Sequence, residues 1–183
     1  MQFRRTRLTI AAAALATTAA VAGTIATAAP ADATASVAGG TLTSFDSKLL
    51  TLINNVRASH GLVQLAVAAG TTDVAHGWTC HLAASQALAH NASLLRQLET
   101  HGSRMLTRYD ENVGMSSTDS GASWLFNAYM RSPEHRANIL DASARYIGIW
   151  TKSSGRFRYN TIDFVGSRAA SYSTSYGAMR TSC

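Results

Sequence analysis

The sequence predicts an α+β domain, about four helices followed by an antiparallel pair of strands, and three observations carry that reading. Before residue 140 apolar side chains recur at spacings of three and four, the period of helices with one buried face. From 146 to 164 they alternate and are rich in aromatic and β-branched types, the pattern of strands. Between the two regimes stands Ser132-Pro133-Glu134-His135-Arg136-Ala137-Asn138-Ile139-Leu140, a helix start with a histidine fixed just inside it.

The first 33 residues are set apart. Arg4, Arg5 and Arg7 precede an Ala/Thr/Val-rich stretch from Leu8 to Ala29, with small residues at Ala26-Thr27-Ala28 and Ala31-Asp32-Ala33; together they read as a secretory signal peptide over 1–33. The stretch is dominated by Ala and Thr and no stop-transfer charges follow it, so no stable membrane span is expected after cleavage. Arg4-Arg5 leaves twin-arginine export open beside general secretion. By either route the mature protein is expected to be secreted and extracellular. Residues 34–43 are small and polar, a flexible lead-in to a domain over 44–166.

Within that domain the first helix starts at Ser44, with Leu49, Leu52, Ile53 and Val56 on one face and Gly61 stopping it after His60. A second is expected from Thr72 or Asp73, turning Val74, Trp78, Leu82, Ser85 and Leu88 inward and ending at His90-Asn91, where Asn91 suits a left-handed exit. Residues 92–119 read as less regular, with a short Leu94-Leu95-Leu98 segment and a polar turn at His101-Gly102-Ser103-Arg104. A third helix over Gly121 to Arg131 buries Trp124, Leu125, Ala128 and Tyr129. Ser132 caps the fourth, and Pro133 occupies its first position, where a missing N–H costs nothing. Tyr146–Trp150 and Tyr159–Phe164 then pair as a hairpin across a turn at Lys152-Ser153-Ser154-Gly155.

Composition narrows the partners. The net charge is +6, and without the leader's three arginines and one aspartate it falls to +4. Lys and Arg are scattered, with no run of four and no interleaved aromatics, which excludes nucleic acid as a partner. A mature length of about 150 residues buries roughly 70% of its extended-chain surface around one core. The two cysteines, Cys80 and Cys183, make a disulfide the economical reading for an exported chain, with two free thiols as the alternative. That bond would tether a Ser/Tyr-rich tail over 167–183 and contribute about 4–5 kcal/mol through loop-closure entropy.

The ordered series Leu52-Ile53-Asn54-Asn55-Val56-Arg57, Gly61-Leu62, Ala89-His90-Asn91, Glu111-Asn112-Val113, Ser132 to Leu140, and Ile147-Gly148-Ile149 resembles the CAP superfamily. That superfamily takes in cysteine-rich secretory proteins, antigen 5 and pathogenesis-related proteins, and the likeness is to its small bacterial SCP-like branch. The resemblance spans about residues 45–165. It implies a three-layer α-β-α sandwich around a small, mostly antiparallel sheet, and an extracellular cleft lined by two histidines and two acids. Carried over residue by residue, these are His90, Glu111 and His135, while the fourth place, three residues after Trp124, is Asn127. Two family glycines are replaced by acids, Asp110 before Glu111 and Glu134 before His135, and either is a candidate for the missing carboxylate. Glu134 also suits the helix N-terminus.

Two imidazoles and a carboxylate suffice as a first shell for a divalent metal, zinc or calcium, with water in a remaining position. Metal-bound water would be a nucleophile, and Asp110 or Glu134 its base. The bland alternative is a hydrogen-bonded cluster that ties a loop to a helix. His60, His76, His81 and His101 read as exposed, and Trp78, Trp124 and Trp150 as core anchors. Asn91-Ala92-Ser93 matches a glycosylation acceptor. No serine or cysteine nucleophile motif is present. Three functions remain: a non-enzymatic binding module for a metal, a lipid or a cell-wall component; a metal-dependent extracellular hydrolase; and a protein-interaction module with an inert cleft.

Overall fold

The computed structural model describes residues 42–168 and 182–183. Residues 1–33, read from the sequence as a signal peptide, residues 34–41 of the expected lead-in and positions 169–181 of the tail lie outside the described residues. In chain order the elements are α1 (Ser44–Ser59), β1 (Ala66–Val67), α2 (Ala69–Ser85), α3 (Leu94–Thr100), β2 (Leu106–Ser117), α4 (Ala122–Arg131), α5 (Pro133–Ile139), β3 (Tyr146–Ser154) and β4 (Phe157–Ser167). The strands form one mixed sheet in the order β1-β3-β4-β2, with β1 parallel to β3 and the other pairs antiparallel. No described helix is long and apolar enough to cross a membrane.

The pleat sorts side chains into two cores. Ile147, Ile149, Ile162 and Phe164 pack with Leu49 and Ile53 of α1, Leu125 and Tyr129 of α4 and Ile139 of α5. On the opposite face Val165 meets Val74, Leu94 and Leu98, while Tyr159 and Val113 meet Leu82 and Ala83. The result is an α-β-α sandwich, α1, α4 and α5 on one face and α2 and α3 on the other.

Local chemistry sets most boundaries. The Thr43 hydroxyl accepts from the Asp46 N–H (3.1 Å) and donates to the Asp46 carboxylate (2.7 Å), capping α1. In the last turn of α1, Arg57 is completely buried and, among the described residues, donates to four backbone carbonyls: Val63 (2.9 Å), Ile139 (2.8 Å), Asp141 (2.9 Å) and Ala144 (3.2 Å). Helix α2 begins at Ala69, earlier than its apolar period suggests, because its first turn is made of small residues that pack backbone-close on β3. It also ends earlier, at Ser85, where Gln86 takes the left-handed conformation (φ 52°) that the sequence assigned to Asn91. Ser85 and Leu88 are therefore exposed rather than turned inward.

The stretch read as irregular contains α3 and the 12-residue strand β2, which lies at a sheet edge and carries too many polar residues to alternate cleanly. The hairpin turn is Gly155-Arg156, with β3 running on through Ser154; Gly155 has φ +58°, as a two-residue hairpin loop requires. Cys80 and Cys183 are joined by a disulfide with Cα atoms 5.6 Å apart.

Gly148 is where α2 meets the sheet. A Cβ there would stand 2.3 Å from the carbonyl carbon and oxygen of Thr71, both backbone atoms. Gly148→Ala should therefore cost about 1–3 kcal/mol of stability, the usual penalty of overpacking. The check is the unfolding free energy from urea titration; a value within about 0.5 kcal/mol of the parent would mean that α2 can step back from the sheet without loss.

Candidate functional site

His135 is placed by the junction of two helices. Ser132 ends α4 and caps α5, its hydroxyl oxygen accepting from the His135 N–H at 3.4 Å, with Pro133 in the first turn. The half-buried imidazole stands edge-on to Tyr129, ring centroids 5.1 Å apart. Burial first, and the nearby His90 second, lower its pKa below the usual 6.5, which favours the neutral ring. The Asn112 side chain donates to the His135 carbonyl (3.1 Å), and Asn138 donates to Asn112 Oδ1 (2.9 Å), so α5 is tied to β2.

His90 comes from the other side, on the segment between α2 and α3. The Trp78 indole N–H donates to the Ala89 carbonyl (2.9 Å), fixing that segment to α2. Glu111 Oε1 then accepts from the Asn91 N–H (2.9 Å) and pairs with His90 Nδ1 (2.8 Å). The His90 side chain is 66% exposed and that of Glu111 only 4%. Burial raises the Glu111 pKa, opposed by the Asn91 N–H and by His90. The structure thus gathers His90, Glu111 and His135 about the outer strand β2: Glu111 on the face toward α2, Asn112 on the face toward α5.

Neither proposed substitute for the fourth acid joins them. Asp110, on the same face of β2 as Asn112, is held by Arg108 through two hydrogen bonds, while Arg108 also reaches Asp141 (3.1 Å). Glu134 is fully exposed and accepts from the Ser132 hydroxyl (3.0 Å); its own backbone N–H and Ser132 hold its carboxyl below the usual range. It serves the helix start. Asn127 stands exposed on α4.

The acid beside Glu111 is one the sequence does not single out. Asp163 lies directly opposite Glu111 in the β2–β4 register and opposite Gly148 in the β3–β4 register. It is completely buried, and among the described residues both its oxygens and Glu111 Oε2 lack hydrogen-bond partners. Burial, then the Glu111 charge, push its pKa well above 3.8. Its only signal in sequence is an aspartate inside an apolar strand, and the pairing that gives it meaning depends on register.

A model of the CAP family, the cysteine-rich secretory protein family, matches residues 50–166. The chain belongs to the CAP family. Among solved structures this CAP domain is similar to an outer surface protein of Borrelia burgdorferi (TM-score 0.61, 16% identity, 72% of this chain and 100% of that one). It is also similar to an extracellular protein containing an SCP domain from Bacillus anthracis (TM-score 0.57, 21% identity), covering 66% of this chain and 40% of that one. A third is NaASP2 solved with Zn2+ (TM-score 0.52, 12% identity, 76% of this chain and 88% of that one). At these identities the likeness is one of fold. The CAP chain spans less than half of the crystallised Bacillus protein. Among curated protein sequences none matches it significantly.

Elsewhere in this CAP domain the structure revises several expectations. His76 is buried rather than exposed, edge-on to Trp150 with centroids 4.7 Å apart, and His101 is half-buried, 4.0 Å from Asp73. Trp150 is a core residue, Trp78 is half-buried, and Trp124 is 49% exposed because the buried face of α4 is carried by Leu125 and Tyr129. Asn91 is buried, its amide donating to Gln97 (2.9 Å) and accepting from Ser93 N–H (3.0 Å), which removes it as a glycan acceptor in the folded chain.

Asp163 has a pH signature. Because its folded pKa lies above the unfolded one, the native state holds the proton more tightly, and stability falls as pH rises from about 3.9 towards the folded value. Asp163→Asn removes that dependence. The variant should gain in melting temperature relative to the parent at pH 7 and gain little or nothing at pH 4; an equal difference at both would place the Asp163 pKa at its ordinary value.

Proposed function

We propose that this chain is a secreted, non-enzymatic binding module whose cleft takes a divalent metal through His90 and His135, as a site for a small or lipidic extracellular ligand. One observation carries the reading. Glu111 engages His90 at Nδ1, which orients the ring and leaves Nε2 of an exposed imidazole as the available donor. A carboxylate behind a histidine is the support that metal-ligating histidines use. His135, inclined to the neutral state, is a second nitrogen donor. Glu111 is thereby a support for one ligand rather than a ligand with both oxygens free.

The donor set chooses the metal. Imidazole nitrogens suit zinc, whereas calcium takes six to eight oxygens. The relative NaASP2, solved with Zn2+, shares the fold. Bound zinc supplies a Lewis-acidic centre with open positions for an oxygen or nitrogen of a ligand. Hydrolysis requires a base as well, and the two candidates are held elsewhere, Asp110 by Arg108 and Glu134 by Ser132. Secretion is supported by the leader-like start and the disulfide.

Calorimetric titration with zinc and with calcium tests the proposal. One zinc should bind per chain, and His90→Ala and His135→Ala should each abolish it. Glu111→Gln should weaken it about 10–100-fold, the cost of losing a supporting carboxylate. Binding indifferent to both histidines would return the three residues to a structural cluster and direct attention to lipid and protein partners.

A further inference from the structure

On the α2 face a second group of ligand-bearing side chains surrounds the disulfide. His76 and Cys80 are four residues apart on α2, hence on one helix face, and His76 Nε2 lies 3.5 Å from Cys80 Sγ. Donor atoms of His76, Cys80 and Cys183 all fall within 4.8 Å of one another. The His76 ring is held edge-on by Trp150, while Cys183 is exposed. Beside them a cavity of about 590 Å³ is lined by Asp73, Trp78, His81 and His101 among others.

The geometry points to a second, redox-gated zinc site: with the disulfide reduced, His76, Cys80 and Cys183 hold one Zn2+, so that Cys183 is joined to α2 by metal instead of by sulfur. The nitrogen-sulfur edge of such a site is already in place. Zinc bonds of about 2.05 Å to nitrogen and 2.3 Å to sulfur, at the tetrahedral angle, put the two donors about 3.6 Å apart. The observed separation is 3.5 Å. Only the sulfur of exposed Cys183 has to move, to about 3.8 Å from Cys80 Sγ by the same bond lengths. The fourth position opens to the cavity.

The chemistry balances with a dithiol as reductant. It cleaves the Cys80–Cys183 bond and closes to its own disulfide, its two electrons and two protons passing to the two cysteine sulfurs. Zinc then displaces both protons to solvent and takes the two thiolates together with the lone pair on His76 Nε2. A low-molecular-weight disulfide reverses the step: exchange re-forms the Cys80–Cys183 bond, the two electrons pass to the incoming disulfide's sulfurs, which leave as thiolates, and the metal is released. Thiolate and imidazole together select zinc over calcium or magnesium, and this set shares no residue with the His90–His135 cleft.

Cobalt is the probe, because only a thiolate ligand gives it an intense near-ultraviolet charge-transfer band. In a His90→Ala/His135→Ala background, which removes the donors of the first site, protein reduced with dithiothreitol and desalted under argon should develop that band with one Co2+ per chain, and oxidised protein should not. His76→Ala should weaken cobalt binding at least tenfold, and Cys183→Ser should roughly halve the band. In the same background, zinc should raise the melting temperature of the reduced chain, and His76→Ala should remove most of that rise. Absence of the band, an affinity unchanged by His76→Ala, or a reduced chain that zinc does not stabilise would each overturn the proposal.

Discussion

One buried guanidinium holds the molecule's irregular parts in register. Arg57 has no carboxylate partner among its described hydrogen bonds and spends its donors on four carbonyls, those of Val63, Ile139, Asp141 and Ala144. Those carbonyls belong to the α1–β1 connection, the end of α5 and the approach to β3; among the described residues outside the regular elements none accepts a backbone N–H, and only that of Ala144 has a second side-chain donor, Arg145 (2.8 Å). Buried carbonyls left unpaired cost about 1–3 kcal/mol each. Two of the four lie at the C-terminal end of α5, where a cation also complements the helix dipole. A helix of seven residues has little stability of its own. Ser132 at one end and Arg57 at the other hold it, and with it the imidazole of His135.

The site is built on an edge strand, and that placement explains its asymmetry. β2 is bonded to β4 on one side only, so groups can approach it from both faces of the sheet at once. His90 comes from the segment beside α2 and His135 from α5, and Glu111 and Asn112 receive them with side chains that alternate across the pleat. The polar character of the strand also protects the edge. Arg108, Asp110 and Glu111 discourage a further strand from adding to it.

Legibility in the sequence followed the range of each interaction. The start of α5 is readable because a cap and a proline act within three residues, and Ser132, Pro133 and His135 stand as that chemistry demands. The hairpin is readable from alternation, although its turn lies at Gly155-Arg156 because β3 continues through polar residues that carry no apolar signal. The end of α2 was obscured since Leu88 and His90 continue a helical spacing that Gln86 breaks by backbone conformation alone. β2 was hidden by its polar edge character. Asp163 and His76 were beyond reach for another reason: one gains its meaning from a cross-strand partner 52 positions away in the chain and the other from packing against Trp150. The order of the family motifs marked His90, Glu111 and His135, but only the fold separates them from Asp110 and Glu134.

The Cys80–Cys183 bond has a mechanical meaning. It closes a covalent loop across a separation of 103 residues. Tension applied between α1 and Cys183 runs along the chain to Cys80 and then crosses the sulfur bridge, leaving everything between the two cysteines unloaded. Stretching can peel away α1, β1 and the start of α2, while β2, α4, α5 and the hairpin are shielded. His90, Glu111 and His135 all sit inside the shielded loop, so the chain segments that carry them bear none of the pull.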